Sequence, residues 1–505
     1  MTRRPRNIHR SARRFVASGA ASLAAAAMCG LAVAGTEHEV LVQSPYAAKG
    51  ECFGTTVAVS HKRDRLFAGV PYSRIPMLHS GRVDVFGVEG WGPQVTFIGS
   101  IFPEVMQRGA QFGASMSLDP GVGAGVGANG ALVIGAPGED LGTTRDVGAV
   151  EVYSLSVAGL MPTRVMRVLS PVASELARFG ASVSVDLGES QSHVVIGEPG
   201  GGGPDRPGIA HVYRSTAGVA GPWEPLVQLQ SVYAAAGQNR FGSEVLVAGS
   251  SLFVVSQYSG GVVECFELGD AGVTANSILW NEGSAWVDGS RFGASIATDG
   301  TRLAAGSPGV DGMPGSVFIY ERTGVEPDIT WALSQVLSPP NGVDCSGFGT
   351  AVALQAVWPQ LRVGIVSSDP SEPWGGGFAD YQFVDGSFQV VHVSTGAGDD
   401  ALGASIAVAA DASADLSGFW GAIAAPGTPS GSGEPLAGGV VAIVNDPGSN
   451  GDLNHDGGVD GQDLARVLGA ILNGDCPLCA EDLNHDGVVN GNDIAILLSN
   501  WGVVP

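Results

Sequence analysis

Positive charge is scarce in this 505-residue sequence, with 25 Lys and Arg against 49 Asp and Glu and a net charge of −24. That balance excludes a phosphate-neutralising nucleic-acid surface, whose affinity comes largely from Lys and Arg. Charge of either sign is sparse at 15%, against about 25% in ordinary globular domains. The surface must therefore be built from Gly, Ser, Thr and short loops. Six cysteines are too few and too scattered for a disulfide-dense scaffold. No run beyond the first 34 residues approaches the ~18 apolar residues of a membrane helix. Long exposed helices are disfavoured by 77 glycines, each about 1 kcal/mol worse than Ala in a helix interior. Disorder is excluded by an apolar content of 44%, ample for a core.

Residues 1–34 read as an export leader. Arg3, Arg4, Arg6, Arg10, Arg13 and Arg14 precede an apolar run from Phe15 to Val33, and Ala32-Val33-Ala34 offers a small-residue cleavage site. Arg13-Arg14-Phe15-Val16 loosely resembles a twin-arginine signal, so either export route is open. The expected mature protein is secreted or extracellular, strongly acidic and without a transmembrane segment. Cys476 and Cys479 flank Pro477-Leu478. A lone C-x-x-C lacks the second ligand pair of a zinc site, and in an exported chain a local disulfide is favoured over free thiols. Cys52, Cys265 and Cys345 read as small buried apolar residues.

A repeat fills most of the chain. Phe-Gly recurs as Phe53-Gly54, Phe112-Gly113, Phe179-Gly180, Phe241-Gly242, Phe292-Gly293 and Phe348-Gly349, with Leu402-Gly403 in a seventh copy. A small-alternating strand follows most copies, then a second strand ending in Gly-x-Pro: Gly69-Val70-Pro71, Gly135-Ala136-Pro137, Gly197-Glu198-Pro199 and Gly306-Ser307-Pro308. Copies six and seven keep only Pro370 and Pro426, and copy four has lost the element at Ser256-Gln257. A third strand (GRVDVFGV, GAVEVYSL) and a short fourth (WEPLVQLQ) complete each unit. Four short strands repeated seven times predict a mainly β chain folded as a seven-bladed β-propeller. Crowded inner strands need Gly, Ala and Ser where backbones approach, and the Phe beside Gly fills the wedge between blades. His38–Ser44 reads as a fourth strand without a preceding three, while copy seven has three strands and no fourth. Joining the chain ends would remove the open sheet edges.

The Phe-Gly to Gly-Ala-Pro pattern over residues 38–446 resembles the FG-GAP repeats of integrin alpha-subunit heads, which implies a seven-bladed propeller. Repeats of that family often carry an Asp-rich calcium loop between strands one and two. Here only Asp411-x-Ser413-x-Asp415 comes close to that pattern.

After a polar connector at 447–451 the character changes. Residues 452–463 read DLNHDGGVDGQD and residues 482–493 read DLNHDGVVNGND. An EF-hand-type calcium loop takes oxygen ligands at positions 1, 3, 5, 7, 9 and 12, with Gly at 6 for the turn. The first loop supplies Asp452, Asn454, Asp456, the Gly458 carbonyl, Asp460 and Asp463; the second supplies Asp482, Asn484, Asp486, the Val488 carbonyl, Asn490 and Asp493. Two Ca2+ ions are expected. Position 12 is Asp rather than Glu, and no incoming helix precedes loop one. Val459 and Val489 are expected to link the loops by backbone pairing, and each loop runs into an apolar helix.

Loop plus helix, twice over residues 452–502, resembles the dockerin type I module. The resemblance implies two bound calcium ions and docking on a cohesin-like or cell-envelope partner. Positions 10 and 11, which help set partner choice in that family, are Gly461-Gln462 and Gly491-Asn492.

No H-E-x-x-H, G-x-S-x-G or Gly-x4-Gly-Lys motif occurs. The serines of the recurrent Gly-Ala-Ser read as structural. Loop residues that could assemble a site are Glu139, Asp140, Asp205, Arg206, Asp311 and Trp374, each read as a solvated loop residue. The favoured expectation is a secreted calcium-binding scaffold, its propeller presenting loops to a protein or glycan and its tail tethering it. The alternative is an extracellular polysaccharide-degrading enzyme with its site on the propeller.

Overall fold

The computed structural model describes residues 37–503, apart from the loop and connector segments 47–50, 61–64, 90–93, 122–128, 157–160, 189, 201–206, 234–238, 258–259, 270–271, 281–290, 310–313, 325–328, 341–346, 356–359, 367–375, 385, 396–402, 409–419, 426–438, 446–457, 474–488 and 500. The proposed leader, Asp411–Asp415, Cys345, Cys476 and Cys479 lie outside the described residues. Cys52 is half-buried and Cys265 buried, and both are free thiols.

The chain is a mainly β propeller with a small two-helix C-terminal extension. Blade one shows the plan: Val57–Ser60, Arg65–Val70, Arg82–Glu89 and Gln94–Ile101 form a four-stranded antiparallel meander. The same meander recurs in blades two (115–169), three (182–230), four (245–279), five (295–337) and six (348–395). A further four-stranded sheet is composite. Ser405–Val408, Trp420–Ala425 and Gly439–Asn445 are completed by Glu37–Val42 from the other end of the chain, in antiparallel register from Glu37↔Asn445 to Val42↔Val440. The pairing of chain ends that the sequence implied is thus present. The count of seven like blades is corrected to six blades of consecutive strands plus this one composite sheet. First strands lie side by side around a ring, and Ser405–Val408 touches the first strands of both blade six and blade one.

The Phe-Gly pair forms this ring through local turn chemistry. The amide N–H of Ala114 donates to the carbonyl of Gln111 at 3.0 Å across Phe112-Gly113. Gly113 has φ +87°, the value that position i+2 of a type II turn demands. The glycine of Gly-x-Pro serves a different need. A Cβ on Gly135 would sit 2.1 Å from the carbonyl oxygen of Gly180 in the next blade, so only a bare backbone fits. The first-strand serine then ties the same carbonyl, with Ser115 Oγ donating to Gly180 O at 2.7 Å. Ser182 repeats this to Gly242 O, and Ser295 to Gly349 O, each at 3.0 Å. Blade six keeps the close approach through Gly364, whose Cβ would meet Gly403 O at 2.1 Å. The sequence reading, which left that copy only its proline, missed it.

Phe112, Phe179, Phe241, Phe292 and Phe348 are all fully buried. Phe112 packs with Val83 and Val85 of blade one and Tyr153 of blade two, so it fills the seam between blades. Burying such a ring contributes about 2–3 kcal/mol. Four of the Phe-Gly rings also stack edge-to-face on a third-strand aromatic: Phe53 on Phe86, Phe241 on Phe266, Phe292 on Tyr320 and Phe348 on Tyr381. Just before that aromatic, the pairing of third and fourth strands slips in all six blades, as between Val85 and Phe86. A bulge there bends the outer strand and adds twist.

Helix α1 (Gly461–Asn473) and helix α2 (Gly491–Ser499) form the extension. Val459, Val467, Val489 and Leu497 make its small core, flanked by Leu464, Ala470, Ile471 and Ile494. The pairing expected between Val459 and Val489 is replaced: Gly458-Val459 pairs with Gly502-Val503 beyond α2. Paired EF-hand loops are likewise not seen among the described residues, where the extension is two helices joined to a two-residue ladder.

Candidate functional site

Five of the proposed calcium ligands fall within the described residues, and four of them show a twofold pattern. Asp460 precedes α1, and its Oδ1 accepts the Gln462 N–H at 2.7 Å; Asp463 Oδ2 in turn accepts the Asp460 N–H at 2.8 Å. At α2, Asn490 Oδ1 accepts the Asn492 N–H at 2.8 Å, and Asp493 Oδ2 accepts the Asn490 N–H at 2.7 Å. Each is a reciprocal capping box, with Asp in place of the usual Glu or Gln at the third helical position. Asp463 and Asp493 are fully buried. A buried carboxylate needs hydrogen bonds or a cation to offset its lost hydration. Gly458 sits in the two-residue ladder. Asp452, Asn454, Asp456, Asp482, Asn484, Asp486 and Val488 lie outside the described residues. Among the described residues, no group of three or more His, Cys, Asp or Glu side chains converges as a metal site.

The same helices carry an apolar surface. Leu468 and Leu472, one turn apart on α1, are exposed; so are Leu498 on α2 and Trp501 just after it. Leu472 is 86% exposed, high for a leucine in a chain this poor in surface charge.

On the propeller, the loop residues singled out from the sequence divide. Asp205, Arg206, Asp311 and Trp374 lie outside the described residues. Asp140 holds its own loop together: Oδ1 accepts the Asp146 N–H at 2.9 Å, and its backbone exchanges two hydrogen bonds with the Gln107 side chain. Glu139 is buried rather than solvated, a correction to the sequence reading. It accepts a short hydrogen bond from Arg167. Burial pushes its carboxyl up to about 7, against the opposing pull of Arg167. Close by, Glu151 accepts the Tyr153 hydroxyl at 2.5 Å and the Glu104 N–H at 2.7 Å.

Glu151 belongs to a wider set that sequence reasoning missed. The third strands of blades one to four carry a buried polar residue three positions after their leading glycine: Asp84, Glu151, His211 and Glu264. Ser44 Oγ donates to Asp84 Oδ2 at 2.7 Å, and Ser231 Oγ to Glu264 Oε1 at 2.5 Å. In blade three, Ser170 Oγ donates to Glu198 Oε2 at 3.0 Å, and His211 Nε2 lies 2.8 Å from the same oxygen. Each serine follows the outer strand of the preceding sheet. These carboxylates are therefore committed to joining blades. The recurrence of Ser at that point, as in Ser44-Pro45 and Ser170-Pro171, was the available signal.

No helix among the described residues is long and apolar enough to cross a membrane. No protein-family model matches the chain, and no curated protein matches it. The FG-GAP and dockerin assignments drawn from sequence motifs are corrected accordingly: what stands is a β-propeller with a small helical extension. Among solved structures, Sqt1 of Saccharomyces cerevisiae is similar at 11% identity and TM-score 0.44, over 80% of this chain and 99% of that one. A mitotic checkpoint complex chain is similar at 11% identity and TM-score 0.45, over 81% and 95%. A putative 6-phosphogluconolactonase from Bacteroides uniformis is similar at 10% identity and TM-score 0.42, over 68% and 86%. Likenesses this distant carry no function.

Proposed function

We propose that the protein is an exported scaffold or binding protein. Its propeller offers loops to a protein or glycan, and its helical extension anchors it to a cohesin-like or cell-envelope protein. The observation that carries the reading is the exposed Leu468, Leu472, Leu498 and Trp501 on a module whose own core is closed by Val459, Val467, Val489 and Leu497. Contiguous exposed apolar residues rimmed by polar ones mark interaction sites. A protein partner covers them better than a membrane surface does, because Asp460, Asn490 and Asn492 are acidic or neutral and Arg466 is the single basic residue on the two helices, short of the Lys/Arg-rich face of a membrane-surface helix.

Calcium organises the extension in this reading. The donors of residues 452–463 and 482–493 are hard oxygens, the set calcium prefers. The buried Asp463 and Asp493 fit such an ion, since each already fixes the loop end that leads into its helix. Bound calcium would supply the charge that holds the acidic loops against the helix starts. Because the ligands must converge in the folded state, binding and folding of the extension are linked.

The test is capture of envelope proteins by the mature chain in calcium and in chelator. Calcium-dependent capture that disappears in the Leu472→Ser, Trp501→Ser double variant supports the reading. Capture indifferent to both calcium and the two substitutions overturns it.

A further inference from the structure

Blades three, four and five each open their Phe-Gly turn with arginine: Arg178, Arg240 and Arg291. The three turns are alike. The amide N–H groups of Ala181, Ser243 and Ala294 donate to the three arginine carbonyls at 3.0, 3.0 and 2.9 Å. The turns bring the arginines to one cleft of about 350 Å³, lined also by Ala181, Pro199, Gly200, Ser243, Gln257 and Ala294. That is room for a small ligand. Among the described residues, no acidic side chain lines it.

The fold does not require arginine there. In blades one to four the backbone at this position is left-handed, with φ 52° at Cys52, 57° at Gln111, 57° at Arg178 and 49° at Arg240. The side chain is otherwise free to vary, as Cys, Gln and the Gly347 of blade six show. Arginine in left-handed backbone is less comfortable than glycine, yet blades three and four carry it there, and blade five has arginine at the same place in its Phe-Gly turn. All three side chains are exposed. Among the described residues none makes an ion pair or side-chain hydrogen bond. Unpaired cations gathered in one cleft of a chain with 49 acids and 25 bases are a local reversal of the protein's field, and such a cleft concentrates anions.

We propose that Arg178, Arg240 and Arg291 form a binding site for a compact polyvalent oxyanion, a molecule carrying two or more negative charges on carboxylate, sulfate or phosphate oxygens. Each planar guanidinium matches an oxyanion with two parallel N–H donors. Gln257, whose Nε2 donates to Ser243 Oγ at 3.5 Å, has a second amide N–H to supply as a neutral donor between the blade-four turn and the end of its second strand. The blade-four departure from Gly-x-Pro places Gln257 in the cleft, so the lost repeat element has a use. The inference rests on the propeller being a binding platform and names what one face of it takes.

The test is calorimetric titration of the mature protein, at low salt, with sulfate, phosphate, citrate and a galacturonate trimer, and with chloride as the monovalent control. At least one polyvalent oxyanion is expected to bind at sub-millimolar concentration, with affinity falling as salt rises. The Arg178→Gln, Arg240→Gln, Arg291→Gln triple variant should lose at least 100-fold, and Arg65→Gln, at the head of the second strand of blade one, should lose none. The corresponding triple glycine variant guards against misfolding, since Gly347 shows that the turn accepts glycine. Its melting temperature should match or exceed that of the parent. Failure of all four probes, or a triple variant that binds as the parent does, overturns the proposal. Capture through the C-terminal helices is a separate readout, so either result here leaves that reading to its own test.

Discussion

Ser44 donates its hydroxyl to Asp84 Oδ2 at 2.7 Å, tying the segment after the N-terminal strand to the third strand of blade one. Arg82, fully buried, sits at the centre of this contact. Its Nη2 donates to Ser44 Oγ at 3.0 Å, Nε to Asp84 Oδ1 at 2.9 Å and Nη1 to Glu51 Oε2 at 3.1 Å. The contact sits where the composite sheet meets blade one, so it locks the ring at its seam. Removing Asp84 leaves the buried Arg82 Nε and the hydroxyls of Ser44 and Ser100 without their acceptor, while Glu51 still balances the Arg82 charge. Asp84→Ala should cost about 3–5 kcal/mol in urea denaturation, and Ser44→Ala about 1–2 kcal/mol. Equal and small losses from both would show that the seam is held by strand pairing alone.

Gly135→Ala should be among the most damaging single-methyl additions in the chain. Its Cβ would fall 2.1 Å from the Gly180 carbonyl and 2.2 Å from Ser115 Oγ, so two blades must separate to admit it. A loss of about 3 kcal/mol or more is expected. Gly109→Ala is the control, because its φ is +87° but nothing lies within 4 Å of the added methyl. That change should cost only about 1 kcal/mol of backbone strain. Thermal unfolding of the two variants compares seam against strain directly.

Stability should fall as pH rises from about 4.5 to about 7. Burial pushes Glu139 up to about 7, and burial pushes Asp186 up to about 6. A carboxyl with a folded pKa above its unfolded one favours folding while protonated. The contribution is complete below the unfolded value and is lost as pH climbs through the folded value. For Glu139 the loss is of order 3 kcal/mol. Glu139→Gln should flatten the profile between pH 5 and 7. An unaltered slope in that variant would assign the dependence elsewhere.

Calcium removal should act on the extension and spare the propeller. Chelation is expected to reduce hydrogen-exchange protection in α1 and α2 while the inner strands keep theirs. Asp463→Ala should remove both a capping partner and a buried oxygen donor, costing the module about 1 kcal/mol even in chelator and more in calcium. Identical protection with and without calcium would count against metal-linked folding.

Much of the propeller was legible because its rules are local. A type II turn needs glycine at one position, so Phe-Gly-Ala announces itself within four residues, as at Phe112-Gly113-Ala114. Strand alternation and the complementary ends were readable for the same reason, and α1 and α2 followed from the apolar runs after Asp463 and Asp493. Motif likeness went further than the structure and comparisons allow. Repeated turn chemistry can arise wherever inner strands crowd, and Asp-rich loops before a helix also serve as capping boxes, as Asp460 and Asp463 do.

Strand order, the turn that opens each blade and the scarcity of positive charge are written in the order of residues. Which distant residues meet is set by the fold. Ser44 and Asp84 are 40 positions apart, and nothing in either neighbourhood marks the other. Arg178, Arg240 and Arg291 are ordinary exposed arginines in the chain and become one basic cleft only when their blades stand side by side. The physical reason is that turn and strand preferences are settled by neighbouring residues, whereas charge and hydrogen-bond partners are settled by ring closure, which brings equivalent positions of successive blades together.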